Sequence, residues 1–257
     1  MLGGLESPNE HYVRRKSVNA STETKESIQQ VSWGRLLFAA VIMQVFPAVT
    51  LFVSSGNLKW WMAWVYIGLT TAFGLGSRII MLWKNPDLVA ERGQALSKED
   101  TAPWDKILMP LVAIIGPTVM LVISGLDERF EWSPKLPQIL QVAALIIIAL
   151  GYFLGVWATT VNRFFSAVVR IQQERGQTVV TSGPYQYIRH PGYAGGILAN
   201  FAIPLLLGSL WAFVPALLIN LLIVVRTALE DKTLQDKLGS YRDYANRVRY
   251  RLIPGVW

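Results

Sequence analysis

The chain has 257 residues, of which 52% are hydrophobic and 16% are charged, and its formal net charge is +7. Soluble domains carry about 25% charged residues, so this composition excludes an ordinary soluble domain and indicates an integral membrane protein. The chain has no cysteine and two histidines, which excludes disulfides and thiolate metal sites, and we predict no metal site. The basic excess is typical of residues that flank membrane spans, so we expect no nucleic-acid partner.

Residues 1–30 are polar and mixed in charge, which predicts a flexible N-terminal tail. Residues 31–160 are predicted to form the N-terminal transmembrane helices, and residues 161–257 a C-terminal catalytic region. Six apolar runs suit membrane helices, because a lipid-exposed backbone must satisfy its own hydrogen bonds. The last two runs are short and flank Gly208-Ser209, which predicts a tight hairpin. The runs are Leu36–Val53, Trp60–Trp83, Ile107–Ser124, Pro137–Thr160, Tyr193–Gly208 and Trp211–Val225.

The predicted fold is therefore an all-α polytopic membrane helix bundle of about six spans. Basic residues concentrate in every second connection, which predicts that both termini lie in the cytoplasm. The loop at residues 84–106 falls on the same side and is expected to contain a short surface helix. Residues 226–250 are charged and predict a C-terminal cytoplasmic helix.

Few polar or small residues interrupt the spans. Gln44 and Asn220 are predicted to make hydrogen bonds between helices. Gly151 and Gly155 have the spacing that allows close helix packing, and so do Gly192 and Gly196. For Gly192 a role in a cofactor site is an alternative interpretation.

The most informative segment runs from Gln177 to Tyr193, QTVVTSGPYQYIRHPGY. It is polar, aromatic and rich in turn formers, and it lies between two spans. The bond His190-Pro191 biases His190 away from helix, and Pro191 suits the first turn of the next helix, whose free N–H groups can hold an anion. Spacing alone leaves two interpretations open, a binding site and an interfacial loop with aromatic anchors.

A second feature stands at the end of the last span. Arg226 and Glu230 are four residues apart and share one helical face. They predict either an ion pair at a helix end or functional groups, since an ionisable residue at the edge of a membrane domain is a functional candidate. Asp231 is expected to face another way.

Together, Gly183-Pro184-Tyr185, Arg189-His190-Pro191-x-Tyr193 and Arg226-Thr227-x-x-Glu230-Asp231 resemble the isoprenylcysteine carboxyl methyltransferase family and the related membrane phospholipid methyltransferases. The detailed resemblance covers about Asn162 to Trp257. It implies S-adenosyl-L-methionine as cofactor, and Arg226 as the substrate-binding and catalytic residue. The cofactor-binding residues that it implies are Gln177, Thr178, Val179, Val180, Tyr185, His190, Pro191, Gly192, Tyr193 and Glu230. Two positions depart from the family: Gln177 stands where histidine is frequent, and Arg170 stands where the animal enzymes have glutamine.

The resemblance implies a methyltransferase that acts on a lipophilic or prenylated substrate, with carboxyl O-methylation as the leading reaction and membrane lipids as surroundings. A carboxylate is already ionised at neutral pH and needs no base, and Arg226 could hold it with a two-pronged bond. N-methylation of a lipid amine is an alternative, and would require His190 or Glu230 to accept a proton.

Two further alternatives belong to other classes. A sterol-reductase-like enzyme using NADPH would need a basic cluster, for which Arg170, Arg175 and Arg189 are candidates. A non-enzymatic transporter would place polar groups at mid-membrane, and the spans are poor in them. The expected membrane is the inner membrane of a bacterium or the endoplasmic reticulum of a eukaryote, and the oligomeric state is left open.

Overall fold

The computed structural model describes residues 33–95 and 98–257, so the predicted tail at residues 1–30 lies outside the described residues. Apart from two short 3₁₀ turns, Gln173–Arg175 and Gly183–Gln186, the regular structure of the described chain is α-helical with one π-helical stretch. The helices are α1 (Trp33–Ser55), α2 (Trp61–Lys84), α3 (Pro86–Gly93), α4 (Asp105–Phe130, π-helical over Leu111–Ile115), α5 (Gln138–Val161), α6 (Pro191–Leu207), α7 (Phe213–Lys237) and α8 (Tyr241–Arg247).

The long helices correspond to the predicted spans. Helices α2, α4, α5 and α7 are long and apolar enough to cross a membrane, while Val41–Ser55 of α1 and the whole of α6 are shorter apolar helices. The predicted multi-pass helical fold is thereby confirmed. One boundary differs: the charged stretch that begins at Arg226 continues α7 without a break to Lys237, and the separate C-terminal helix is the short α8.

Helices α5 and α6 approach each other most closely, and glycines make this possible. A Cβ atom on Gly195 would lie 2.3 Å from the carbonyl oxygen of Gly151. The predicted pair Gly151/Gly155 therefore contributes Gly151 to the contact, whereas a Cβ on Gly155 would meet no atom within 4 Å. The partner of Gly151 is a glycine on the next helix, as small-residue packing in membranes requires.

Polar side chains inside the bundle join neighbouring helices. Thr71 of α2 donates a hydrogen bond to Gln44 of α1 at 3.0 Å, and Asn200 of α6 donates to Asn220 of α7 at 3.1 Å. Both interhelical bonds confirm the roles predicted for Gln44 and Asn220, because a polar group in an apolar bundle needs a partner.

The two ends of the bundle differ in character. At one end Gly208, with φ +77°, ends α6 in the predicted hairpin, and Ser209 of this hairpin donates a hydrogen bond to the buried Asp127 at 2.5 Å. At the other end α4 begins, α5 ends and α6 begins, and the connecting segments carry most of the charge. The functional residues predicted from the sequence all lie at this charged end.

Candidate active site

A cavity of about 270 Å³ opens at the charged end of the bundle. It lies between the start of α4, the 162–190 segment, the start of α6 and the last turns of α7. Pro191, the first residue of α6, is buried beside the cavity without lining it. The other ten predicted site residues line it: Gln177, Thr178, Val179, Val180, Tyr185, His190, Gly192, Tyr193, Arg226 and Glu230.

The segment between α5 and α6 is held in shape by its own polar side chains. Asn162 donates a hydrogen bond to the hydroxyl of Tyr185 at 3.2 Å. The side-chain oxygen of Gln177 accepts a bond from the backbone N–H of Gln172 at 2.7 Å, and Gln172 in turn donates to the carbonyl of Phe164. Gly183 turns the chain with φ +60°, a conformation that favours glycine. In this irregular segment, polar side chains therefore supply hydrogen bonds to backbone groups that a helix or sheet would otherwise satisfy.

His190 is fixed from two sides. Its backbone N–H donates to the carbonyl of Arg251 at 2.9 Å, so the His190 segment is joined to the C-terminal segment that follows α8. Its Nε2 atom lies 3.3 Å from Oδ1 of Asp231. This contact with a buried carboxylate fixes the orientation of the imidazole ring. The ring also stacks on the ring of Tyr193, with centroids 5.8 Å apart.

Asp231 organises this side of the site. It is fully buried and faces away from the cavity, as predicted. Tyr241 donates a hydrogen bond to it at 2.9 Å, and Arg251 does so at the same distance. Burial and then the charge of Asp231 raise the pKa of Tyr241 well above its usual range, so the phenol remains a donor at all physiological pH values. The pair Glu230-Asp231 is thus divided, with one carboxylate at the cavity and the other in the scaffold.

Arg226 has a partner that the sequence did not predict. Its Nε and Nη2 atoms donate to the two carboxylate oxygens of Asp105 at 2.6 and 3.0 Å, and Nη2 also donates to the carbonyl of Ala167. Asp105 is fully buried at the start of α4. Arg226 therefore pairs with Asp105 and not with Glu230, and the fork predicted for a substrate carboxylate is occupied. Of the three guanidinium nitrogens of Arg226, Nη1 has no hydrogen bond to a described residue.

Tyr193 connects the two charged groups of α7. Its hydroxyl donates to Oε2 of Glu230 at 2.5 Å, and the guanidinium of Arg226 lies 5.3 Å from the centre of its ring. The second oxygen of Glu230, Oε1, has no hydrogen-bond partner among the described residues. A carboxylate oxygen and a guanidinium nitrogen therefore face one cavity across a tyrosine ring, and both are available to a ligand.

Three arginines suggested as a phosphate cluster are bound within the protein. Arg170 forms a two-pronged pair with Glu91 at 2.8 and 2.9 Å, Arg175 pairs with Asp87, and Arg189 lies 3.1 Å from Asp231. Glu91 and Asp87 belong to α3, a helix from the first half of the chain. No local sequence signal connects them to a site 80 residues away, so only the folded chain shows the pairing.

The comparisons with known proteins concern the same region. Residues 139–240 match the phospholipid methyltransferase family. The matched region begins in α5 and ends just before α8, so it contains all the predicted site residues, while Asp105 and Glu91 lie outside it.

Individual relatives agree with this assignment and add a second enzyme class. The chain is 31% identical over 117 residues to protein-S-isoprenylcysteine O-methyltransferase of Schizosaccharomyces pombe, an alignment covering 43% of this chain and 48% of the relative. It is 31% identical over 107 residues to protein-S-isoprenylcysteine O-methyltransferase B of Arabidopsis thaliana, covering 40% and 54%. It is also 28% identical over 134 residues to a Delta(14)-sterol reductase of Mus musculus, covering 48% and 32%. The chain thus matches about half of the length, or less, of each of these relatives.

Proposed function

We propose that the chain is a membrane methyltransferase that transfers a methyl group from S-adenosyl-L-methionine to a lipophilic substrate. The observation that carries this proposal is the meeting of Glu230, Tyr193, His190 and Arg226 at one cavity. Most of the residues that line this cavity lie in the region that matches the phospholipid methyltransferase family, and the cavity stands at the end of an apolar helix bundle.

The lining residues fit the proposed cofactor. S-adenosyl-L-methionine, when bound, supplies a methyl group activated by a sulfonium. The residues that would hold it are Gln177–Val180, Tyr185, His190, Tyr193 and Glu230. Oε1 of Glu230 is a free acceptor for ribose hydroxyls or an ammonium, and the face of Tyr185 attracts a cation by roughly 0.5–2 kcal/mol. The cavity, at about 270 Å³, is near the lower end of typical ligand pockets, roughly 300–1,000 Å³.

The acceptor that suits Arg226 is a carboxylate. The pair with Asp105 fixes the plane of the guanidinium and leaves Nη1 to donate to one substrate oxygen, so the expected contact is less extensive than a two-pronged bond. Displacement at a methyl group requires alignment and an acceptor freed of water. Arg226 supplies the alignment, and the apolar lining, with Met109 and Val180, excludes water.

N-methylation of a lipid amine is a second candidate, favoured by the match to the phospholipid methyltransferase family and by the free Oε1 of Glu230. In that reaction Glu230 would accept the proton that the amine must lose. The two candidates differ in product, since a methyl ester is cleaved by mild base and a methylamine is not.

A reductase using NADPH is disfavoured by the fate of its candidate basic cluster. Arg170, Arg175 and Arg189 are each bound to a carboxylate of the protein, so they do not present an open charge for a 2′-phosphate.

The substrate reaches the cavity from the bilayer in this proposal. Met109 and Ala113 of α4 form part of the cavity wall, and Ala113 lies in the π-helical stretch, whose Ile114 and Ile115 are exposed on the outer surface. π-helical turns are frequent at functional sites because they locally open the helix. In this proposal the charged end of the bundle and both termini lie in the cytoplasm, as the distribution of basic residues predicts, and the cofactor enters from there.

Calorimetric titration of the detergent-purified protein with S-adenosylhomocysteine tests the proposal. We expect the wild type to bind and Glu230→Ala to bind at least about tenfold more weakly, because a charge-assisted hydrogen bond is lost. Glu99→Ala, an exposed carboxylate at the same end of the bundle, is the control. Absence of binding by the wild type would overturn the proposed function. A radiolabelled methyl-transfer assay on a total lipid extract, with mass identification of the product, then identifies the acceptor.

A further inference from the structure

Four arginines line the cavity, and one of them, Arg92 of α3, forms no ion pair with a carboxylate in the described part of the chain. The other three each pair with a buried carboxylate, namely Arg170 with Glu91, Arg189 with Asp231 and Arg226 with Asp105. The protein therefore neutralises three of these charges itself, and the charge of Arg92 remains open to a bound ligand.

Phe165 holds the guanidinium of Arg92 in place and leaves one edge of it free. Nη1 of Arg92 donates to the backbone carbonyl of Phe165 at 3.3 Å, and the guanidinium carbon lies 5.8 Å from the centre of the Phe165 ring. The Nε and Nη2 atoms make no hydrogen bond to a described residue. These two nitrogens share the edge of the guanidinium that can donate two parallel hydrogen bonds to a carboxylate.

The same phenylalanine places Arg92 beside the residues proposed to hold the cofactor. A Cβ atom on Gly192 would lie 2.6 Å from the ring of Phe165, so the ring packs against the first turn of α6. Arg92 lies on this ring, and Gly192 belongs to the predicted cofactor site. Arg92 is therefore one aromatic ring away from the cofactor segment, although it comes from a helix about 100 residues earlier in the sequence.

A negative charge faces the cavity close to the same turn. The hydroxyl of Tyr193, the residue after Gly192, donates to Oε2 of Glu230. Glu230 forms no ion pair within the described part of the chain, and it lines the cavity together with Arg92. Once the internal ion pairs are set aside, the cavity thus presents one positive and one negative group to a ligand.

We infer that Arg92 binds the carboxylate of the amino-acid end of S-adenosyl-L-methionine, while Glu230 accepts hydrogen bonds from the ammonium of the same end. An α-amino acid carries these two charges on one carbon, and burying either of them without a partner is costly. The inference rests on the proposed function, because it takes the cavity to be the cofactor site. It adds a cofactor-binding residue from α3, outside the matched residues 139–240.

Two ligands that differ by one carboxylate test this role of Arg92. They are S-adenosylhomocysteine and its decarboxylated form, which keeps the ammonium, and both are titrated calorimetrically into the full-length protein in neutral detergent. We expect Arg92→Gln to bind S-adenosylhomocysteine about tenfold or more weakly than the wild type, because charge-assisted hydrogen bonds are lost. It should bind the decarboxylated form at least as tightly as the wild type does, and Arg92→Lys should recover part of the lost affinity.

Two further variants serve as comparisons. Glu230→Ala should weaken the binding of both ligands, since both carry the ammonium. Arg249→Gln removes an exposed arginine at the same end of the bundle that does not line the cavity, and it should bind both ligands as the wild type does. Because Arg92→Gln is expected to retain the decarboxylated ligand, that titration also shows that the variant is folded.

The outcomes separate this inference from the proposed function. If the wild type binds neither ligand, both fail. If the wild type binds S-adenosylhomocysteine and Arg92→Gln binds it equally well, or loses both ligands to the same extent, only the role of Arg92 is overturned. If Arg92→Gln does not fold, modification of Arg92 by phenylglyoxal in the wild type decides the matter. S-adenosylhomocysteine should then protect Arg92 and the decarboxylated form should not, and equal protection by both would overturn the inference.

Discussion

Two adjacent carboxylates of α7 have different surroundings: one lies at the cavity, where a ligand could bind, and the other is buried and holds the fold together. Glu230 and Asp231 differ by about 100° around α7, because a helix has 3.6 residues per turn. Glu230 faces the cavity and binds Tyr193, whereas Asp231 is fully buried among Arg189, Tyr241 and Arg251. The two adjacent carboxylates therefore have two different functions, in line with the different directions predicted for them from the sequence.

Replacing Asp231 tests its structural role. Asp231→Asn leaves the buried guanidinium of Arg189 without a charge partner, and breaking a buried pair costs about 3–5 kcal/mol. We expect a fall of several degrees in the thermal unfolding midpoint, together with weaker binding of S-adenosylhomocysteine, because His190 loses its anchor. Asp236→Asn removes an exposed partner of Arg242 and should change the midpoint little. Equal midpoints for the two variants would contradict the role assigned to Asp231.

At the scale of helices, the contact between α5 and α6 fixes where the site begins. The backbone of Gly151 touches that of Gly195, so the two helices are closer than any larger side chain would allow. Since α6 starts at Pro191, directly after His190, this contact sets the position of His190 and Tyr193 relative to the end of α5.

Adjacent glycines in α6 provide a matched pair for testing the contact. In Gly195→Ala the added methyl group would overlap the carbonyl of Gly151, a backbone atom that cannot move aside, and we expect a cost of about 1–3 kcal/mol from overpacking. In Gly196→Ala the methyl group meets no atom within 4 Å, and alanine favours helix. Thermal unfolding should therefore show a lower midpoint for Gly195→Ala only. A lower midpoint in Gly196→Ala alone would show that the contact is misassigned.

At the scale of the whole molecule, the site depends on residues from the first half of the chain as well as on residues 139–240, which match the family. Asp105 of α4 holds Arg226, and Glu91 of α3 holds Arg170. Both carboxylates lie outside residues 139–240, and both pairs are buried. The N-terminal helices are thus joined to the cavity by charge as well as by apolar packing.

The pair of Glu91 and Arg170 predicts a dependence of stability on pH. Burial raises the pKa of Glu91, but the hydrogen bonds and charge of Arg170 outweigh burial and hold that pKa below its usual value of 4.5. A carboxylate with a lowered pKa stabilises the fold above pH 4.5, and this stabilisation is lost as the pH falls through the lower value. We expect the unfolding midpoint of the wild type to fall more steeply between about pH 5 and 3 than that of Glu91→Gln. Glu99→Gln, at an exposed position, should follow the wild type, and parallel curves for all three proteins would refute the prediction.

The sequence by itself determined the helical membrane class of the fold and the segments that meet at the site. Hydropathy over about 20 residues reports directly on a membrane span, and the segments Gln177–Tyr193 and Arg226–Glu230 carry their own turn formers and helical spacing. Only the tertiary structure decided which charges are available to a ligand. Asp105 lies 121 residues from Arg226, and Glu91 lies 79 residues from Arg170. A carboxylate so distant leaves no local pattern, so the sequence could not show that the fork of Arg226 is occupied. The physical reason is that hydropathy and helical spacing act over short stretches of chain, whereas ion pairing depends only on distance in space.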